Sequence, residues 1–278
     1  MRIAVIGHVE HVTLGRVRSL PGPGGIAHLE SPLWLPGGGG GIAFHQLARS
    51  PAEVHLFTAL GNDEAAAQIE GRLAATGMNI HSARCDEPHT RDLVLITPDG
   101  ERTIVVVGEP LHPRRDDPLP WDLLAGCDAA YFTAQDPAAI VAARAARVLV
   151  VSARRRPALI ASGVRADVVV GSASDPREAS GLDDYPVRPG ALVMTEGRAG
   201  GSIATEAGVT RFPAVTAPAG GGAYGAGDSF AGALVYYLAA GISYSESCMR
   251  AAAHGAAVLA GLDPLASQMP LAPLLTKW

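Results

Sequence analysis

Asp228 is the residue whose type and setting most directly invite chemistry. It closes the run Gly220-Gly221-Gly222-Ala223-Tyr224-Gly225-Ala226-Gly227-Asp228, and beyond it Phe230, Ala233, Leu234, Tyr237 and Leu238 recur on one helical stripe. A glycine-rich loop therefore opens straight into an amphipathic helix. The first turn of such a helix carries unpaired N–H donors and the positive end of the helix dipole, and glycine lets an anion approach that backbone closely. A carboxylate at Asp228 would stand beside a bound phosphate, where its use is to take the proton of an attacking hydroxyl. The plainer reading is an ordinary helix start, with glycines for the turn and Asp228 as a first-turn acid favoured by the dipole. That reading leaves the longer string Gly-Ala-Gly-Asp-Ser-Phe-x-Gly-Ala unexplained.

Composition removes several other chemistries. The sole lysine among 278 residues is Lys277, next to the C-terminus. A Walker A loop and a protein-kinase site both need a lysine that is absent here, and a Schiff base on Lys277 would sit in a tail. Phosphate chemistry must rest on backbone N–H groups, arginine and a metal ion. The formal net charge of -5 argues against a nucleic-acid or anionic-membrane partner. No apolar run reaches the roughly 18 residues of a membrane span, and the N-terminal run 1–7 reads as a strand, not a signal peptide. Three separated cysteines, Cys85, Cys127 and Cys248, fit a reduced cytoplasmic setting.

Other polar residues carry two readings each. His8, Glu10 and His11 could ligate a metal, but side chains alternate along an extended segment, so His8 and Glu10 share a face and His11 points away. A polar substrate-facing lining is the better reading. Glycines 37–41 could be a phosphate loop, a linker or a loop for close ligand approach. Gln135 and Asp136 follow a strand, where α/β folds bind ligands, yet Asp136-Pro137 also reads as a helix cap. Arg102 and Arg198 are candidates for neutralising phosphate, and Arg154-Arg155-Arg156 reads as a solvated loop.

These residues need a frame. Strands are expected at 3–6, 54–60, 129–132, 148–151, 168–170, 192–194 and 209–213, and helices at 42–49, 63–75, 137–146, 157–162, 226–240 and 244–260. Pro98-Asp99-Gly100 between 93–96 and 103–107 signals a hairpin. Segments 12–17 and 27–35 read as edge strands and loops. Strands alternating with helices after residue 128 indicate a parallel sheet covered on both faces. The expectation is a single domain over 1–278 with early hairpins projecting as a small separate sheet.

The run Gly225-Ala226-Gly227-Asp228-Ser229-Phe230-Ala231-Gly232-Ala233 closely resembles the C-terminal signature of the PfkB (ribokinase-like) carbohydrate kinase family. The Gly37-Gly38 pair, leading into a helix and then 56–63, looks like the N-terminal signature. Residues 3–7 look like the opening strand, Gly100-Glu101-Arg102-Thr103 like a lid hairpin, and Thr195-Glu196-Gly197 like the strand end bordering the nucleotide. The resemblance covers most of the chain. It implies a three-layer α/β/α sandwich with a small β-sheet lid, from about 10–36 and 85–108, that can serve as a homodimer interface. It implies ATP and Mg2+, Asp228 as catalytic base, and the backbone of Gly225, Ala226 and Gly227 as anion hole. By the same resemblance Thr195, Gly197, Gly225 and Gly227 border the nucleotide. Gly37, Gly38 and Gln135 face the small-molecule substrate.

The sequence departs from that pattern at sugar and metal positions. Ile42 stands where the family has a sugar-contacting asparagine. Val12 stands, by spacing, where an aspartate grips sugar hydroxyls, and Glu10 is the nearest acid able to substitute. Gly222 replaces the aspartate of a monovalent-cation site, so weak or absent K+ dependence is expected. The magnesium-organising Asn-x-x-Glu is reduced to Ser172-Ala173-Ser174-Asp175, leaving Asp175 to act through water. The reading is an ATP-dependent phosphotransferase acting on a sugar-like hydroxyl. The alternatives are a nucleoside kinase, for which aromatic residues in the lid are sparse, and a catalytically degenerate kinase fold that only binds ligand. A dinucleotide-binding fold is disfavoured, since the first strand ends without Gly-x-Gly-x-x-Gly.

Overall fold

A computed structural model describes residues 1–218 and 220–272. In chain order the elements are β1 (Arg2–Ile6), β2 (Glu10–Arg16), β3 (Glu30–Gly37), α1 (Gly38–Leu47), β4 (Glu53–Leu60), α2 (Glu64–Ala74), β5 (Asn79–Arg84), β6 (Arg91–Ile96), β7 (Arg102–Val107), β8 (Ala129–Phe132), α3 (Pro137–Ala143), β9 (Leu149–Ser152), α4 (Arg156–Ser162), β10 (Val168–Ser172), β11 (Ala191–Thr195), β12 (Gly201–Thr205), β13 (Gly208–Phe212), α5 (Ala226–Ala239), α6 (Tyr244–Val258) and α7 (Pro264–Ser267).

The first strand shows why there are three layers. Side chains alternate along β1: Ile3 and Val5 enter a core built with α1, α2, α5 and α6, while Ala4 and Ile6 enter a second core with α3 and α4. A strand buried on both faces must be apolar throughout, as this one is. The main sheet runs β13-β12-β11-β10-β9-β8-β1-β4-β5. From β11 to β5 all neighbours are parallel, and β12 and β13 are antiparallel at one edge. A second sheet, β3-β2-β6-β7, stands over the carboxyl ends of the central strands as a lid. Its inner face holds Val12, Leu14, Leu35, Val94 and Ile96 in a third apolar cluster with Ile42 and Tyr224.

Local signals worked where they were complete. Asp63 caps α2 by accepting from the Ala66 amide at 3.1 Å, and Gly77 ends that region with φ of 72°. Asp136 caps α3 through the Ala138 amide at 3.0 Å, with Pro137 at the first turn.

Four expectations need correction. Helix α1 begins at Gly38, not at 42, so the glycine run is largely helix. Its glycines answer to packing: a Cβ at Gly40 would lie 2.6 Å from the His8 carbonyl oxygen. Strands β5 and β12 are additional, and β12 makes the sheet mixed instead of all parallel. Glycine weakens a strand, yet Gly201 opens β12, where the Phe212 ring covers it, 2.3 Å from where a Cβ would stand. Finally, α3 stops at Ala143; Arg144 turns its side chain to Asp167 at 2.6 Å and to the carbonyls of Ala146 and Arg147.

Candidate active site

The glycine loop delivers its backbone to the cleft as a helix start should. Gly225 is the residue before α5, left-handed with φ of 80° and without a side-chain cap. The first helical bond runs from the Ser229 amide to the Gly225 carbonyl at 2.9 Å. The N–H groups of Ala226, Gly227 and Asp228 precede it, so the helix supplies them no acceptor. Gly227 is exposed, and a Cβ there would meet nothing within 4 Å, which leaves that turn open to an anion. Gly232 brings α5 hard against α1, since a Cβ there would lie 2.8 Å from the Ala43 carbonyl. This close crossing sets Asp228 opposite the first turn of α1.

Asp228 is half-buried on the cleft floor. Burial pushes its carboxyl up to about 6; the charge of Glu178 pushes the same way, and Arg154, Arg102 and Arg155 oppose it. At neutral pH it is mostly ionised and basic enough to receive a hydroxyl proton as the bond to phosphorus forms. The space it faces is defined by Gly39. A Cβ on Gly39 would stand 3.0 Å from Thr133 Oγ1, 3.2 Å from Asp228 Oδ1 and 3.6 Å from His8 Cε1. Three polar side chains therefore converge where Gly39 has no side chain.

The wall above this point comes from scattered segments. His8 Nε2 accepts from the Gly39 amide at 3.3 Å and lies 3.5 Å from Glu10 Oε1. Burial, then His112 and Arg155, hold the His8 imidazole well below its usual range, so it is neutral. Glu10 and Asp92 meet at the inner end of the lid. Burial raises both carboxyls; the hydrogen bond and charge of Asp92 raise Glu10 further, whereas the bond from Glu10 lowers Asp92, and the pair retains a proton at neutral pH. His112 packs edge-on against His8 at 4.8 Å between centroids; burial, then Arg155, lowers it to about 3. The Tyr224 hydroxyl accepts from the Gly38 amide at 3.2 Å, tying the loop before α5 to the start of α1.

The expected site residues divide into three groups. Glu10, Gly38 and residues 225–228 come together around the cleft, while Gly37 closes β3 against Val12 and the Tyr224 hydroxyl. Thr195 and Gly197 lie at the carboxyl end of β11, where Thr195 Oγ1 donates to the Gly171 carbonyl at 3.3 Å. Ile42, Gln135 and Asp175 do not join the cleft lining. Ile42 is fully buried, its side chain packed near Gly225 and its carbonyl accepting from Gln268 Nε2 at 2.9 Å, because an apolar side chain at the α1–α5 crossing is driven into the core. Gln135 is exposed, and Asp136 serves as the helix cap. Asp175 is held by Arg154 and by Arg177, at 3.5 Å, so its charge is already compensated.

The arginine run is not a solvated loop. Arg154 pairs with Asp175 and with Glu178 at 2.7 Å, and Arg155 donates from Nε to the Thr133 carbonyl at 2.8 Å. Arg156 lies 3.8 Å from Asp184. Arg198 is exposed, whereas Arg102, on the lid, is one of the charges acting on Asp228. Sequence reasoning missed Gly39, Thr133, Asp92, His112 and Glu178. Only Gly39 carried a signal, as a member of the glycine run. The metal reading of His8, Glu10 and His11 also fails: His11 points to Gln68 Oε1 at 2.9 Å and stacks on Trp34, and no described group of three His, Cys, Asp or Glu residues is arranged to hold a metal.

The lid touches the glycine loop directly. The Ala223 amide donates to the Gly100 carbonyl at 3.0 Å, Arg16 reaches the Gly220 carbonyl, and a Cβ on Gly222 would lie 2.9 Å from Ile96 Cδ1. Lid position and loop geometry are therefore coupled.

Solved structures share this fold. A protein assigned as a ribokinase from Agrobacterium tumefaciens superposes with a TM-score of 0.80 at 19% identity, covering 96% of this chain and 94% of that one. The ribokinase of Thermotoga maritima gives 0.74 at 16% identity, covering 97% and 96%. The nucleoside kinase of Methanocaldococcus jannaschii, an archaeal member of the ribokinase family, gives 0.73 at 15%, covering 96% and 94%. At these identities the likeness establishes the ribokinase-like fold. No curated protein matches the sequence significantly. The profile of the pfkB family carbohydrate kinases matches residues 2–263. With that match over nearly the whole chain, the chain belongs to the pfkB family of ATP-dependent carbohydrate kinases.

Proposed function

We propose that this protein phosphorylates a hydroxyl of a sugar-like small molecule, with Asp228 as the base. The observation that carries the reading is the meeting of Asp228 Oδ1, Thr133 Oγ1 and His8 around Gly39, beside the open first turn of α5. An acceptor hydroxyl lying against Gly39 would give its proton to Asp228. The N–H groups of Gly225, Ala226 and Gly227 would take up charge on the transferring phosphoryl group. ATP supplies that group; Thr195 and Gly197 are suited to border it, at the strand end next to β10. Mg2+ would neutralise the phosphates. Glu178, whose charge reaches Asp228, and Asp175 both pair with Arg154 and are the nearby acids that could hold such an ion through water. With Gly222 against Ile96 there is no carboxylate for a K+ site at that position.

A sugar is favoured over a nucleoside because the lid offers little to stack a base on. Trp34 packs with His11 and Arg72, away from the inner face, and Phe44 is in the main core. Tyr224 is buried with its hydroxyl bound to Gly38. A second copy of the chain is proposed to cover β7, an edge strand whose Ile104, Val105, Val106 and Val107 are all exposed. Three free cysteines, two of them buried, agree with a reducing, cytoplasmic setting, and no described helix is long and apolar enough to cross a membrane. The decisive experiment is an ADP-release screen over sugars, sugar acids, sugar phosphates and nucleosides. Nucleotide binding without turnover on any acceptor would favour a non-catalytic binding protein.

A further inference from the structure

Three consecutive arginines follow β9, and they part company. Arg154 turns toward β10 and is neutralised by Asp175 and Glu178. Arg156 faces Asp184 and the Ala179 carbonyl. Arg155 turns the other way, toward β8 and β1. Its Nε donates to the Thr133 carbonyl at 2.8 Å, and one terminal nitrogen lies 3.4 Å from His8 Nδ1. Among the described residues no carboxylate lies within ion-pair distance of it. Glu10 is near enough to act on it electrostatically, but the Glu10–Asp92 pair retains a proton. Burial, then Arg154, lowers Arg155 to about 10, which still leaves it cationic at neutral pH.

A guanidinium partly withdrawn from water without a paired anion is costly, and an anion brought by a ligand would offset that cost. The surroundings point the same way. His8 and His112 are neutral, Glu10 shares a proton, and Thr133 Oγ1 lies beside the Gly39 space. The acceptor end of the cleft is thus rich in hydrogen-bond donors and holds one cation that has no carboxylate within ion-pair distance among the described residues. The planar fork of arginine matches a carboxylate or phosphate in two-point contact. We propose that Arg155 binds an anionic substituent, a carboxylate or a phosphate, carried by the phosphoryl acceptor, so that the enzyme acts on an acidic sugar in preference to a neutral one. The inference rests on the kinase reading above. It assigns Arg155 to specificity, while Asp228 keeps the chemistry.

Calorimetric titration without nucleotide tests it. Wild type, Arg155→Gln and Arg155→Lys are titrated with a neutral hexose, the matching hexonate, a hexose phosphate and inorganic phosphate. Wild type should bind the hexonate or the hexose phosphate well above the neutral sugar. Arg155→Gln should lose about 10- to 100-fold for that ligand, the usual loss for a charge-assisted hydrogen bond, with ATP affinity unchanged. Arg155→Lys, which keeps the charge, should recover part of the loss, and ligand-free unfolding midpoints establish that each variant is folded. Hexonate preference identifies a carboxylate; preference for the hexose phosphate, with inorganic phosphate binding weakly at the same Arg155-dependent site, identifies a phosphate. Equal or tighter binding of the neutral hexose overturns the proposal, as does failure of every anionic sugar to bind. So does an Arg155→Gln defect confined to ATP. ADP release with the tightest ligand separates the two readings: binding without turnover sinks the kinase reading and leaves the anion site standing.

Discussion

At residues 225–228 the cleft wall is one continuous piece of chain. The facing wall takes His8 from after β1, Glu10 from β2, Asp92 from β6, His112 from the segment beyond β7 and Arg155 from after β9. On the proposed function, the difference follows from what each wall would bind. Charge developing on a phosphoryl group is met by N–H dipoles that any sequence supplies, provided glycine keeps the turn open. A hydroxylated acceptor needs donors and acceptors in set directions, and only side chains from several elements can provide them. The acceptor wall can therefore change residue by residue while the base loop stays intact. Ile42, Val12 and Gly222 belong to neither wall: Ile42 and Val12 pack in the apolar cluster under the lid, and Gly222 lies against Ile96.

Breaking the base side should give the largest effect. Asp228→Asn is expected to lower kcat by about 10²–10⁴-fold. Its carboxyl is raised to about 6 in the folded state. A raised carboxyl contributes stability that is present below the unfolded value and lost as pH rises through about 6. The asparagine variant escapes that loss. Its unfolding free energy should exceed wild type above pH 6 by about 2 kcal/mol, which is roughly 3 kcal/mol from the pKa difference less about 0.3–1 kcal/mol of helix-dipole loss. The advantage should shrink as pH falls and vanish near the unfolded value, about 4. Unfolding at pH 4 and pH 8, with a pH–rate profile for wild type, checks both halves; wild-type kcat should fall on the acid side of about 6. Near-normal turnover in Asp228→Asn would end the mechanism.

Two glycine substitutions sharpen the contrast between the walls. Gly39→Ala puts a methyl 3.0 Å from Thr133 Oγ1 and 3.2 Å from Asp228 Oδ1. It should cut kcat/KM for the acceptor by about tenfold or more through misplacement of the hydroxyl, with ATP affinity retained. Gly227→Ala meets nothing within 4 Å. It should fold as well as wild type or better, by up to about 1 kcal/mol, while weakening the phosphate side. If both variants weaken the same ligand, the two walls are not distinct.

Glu10→Gln probes the lid end of the acceptor wall. The Glu10–Asp92 pair is held above the usual carboxylate range, first by burial. Wild type should therefore lose stability as pH rises past neutrality into the alkaline range and the shared proton leaves. The glutamine variant, which has no second carboxylate to ionise, should show a flatter curve in urea unfolding between pH 7 and 10. The smallest effect concerns monovalent cations. Activity in potassium and in a large organic cation at equal ionic strength should be nearly the same, and marked potassium stimulation would mean that another group supplies the site.

The sequence by itself determined what is contiguous. The glycine turn opening into the stripe from Phe230 to Leu238, the caps at Asp63 and Asp136, the Pro98-Asp99-Gly100 hairpin and the alternation of strands and helices all depend on neighbours along the chain. Tertiary structure alone decided the rest. The glycines of 38–41 became a helix with the segment after β1, residues 7–10, packed so close that side chains would not fit. Arg154, Arg155 and Arg156 parted because their acids and carbonyls lie on different elements, with separations in sequence of 22 for Thr133 and 24 for Glu178. Glu10 acquired its proton from burial beside Asp92 across parallel strands of the lid. Desolvation and strand register are properties of the assembled fold, and they decide whether a charged residue on the surface of a sequence becomes part of a site.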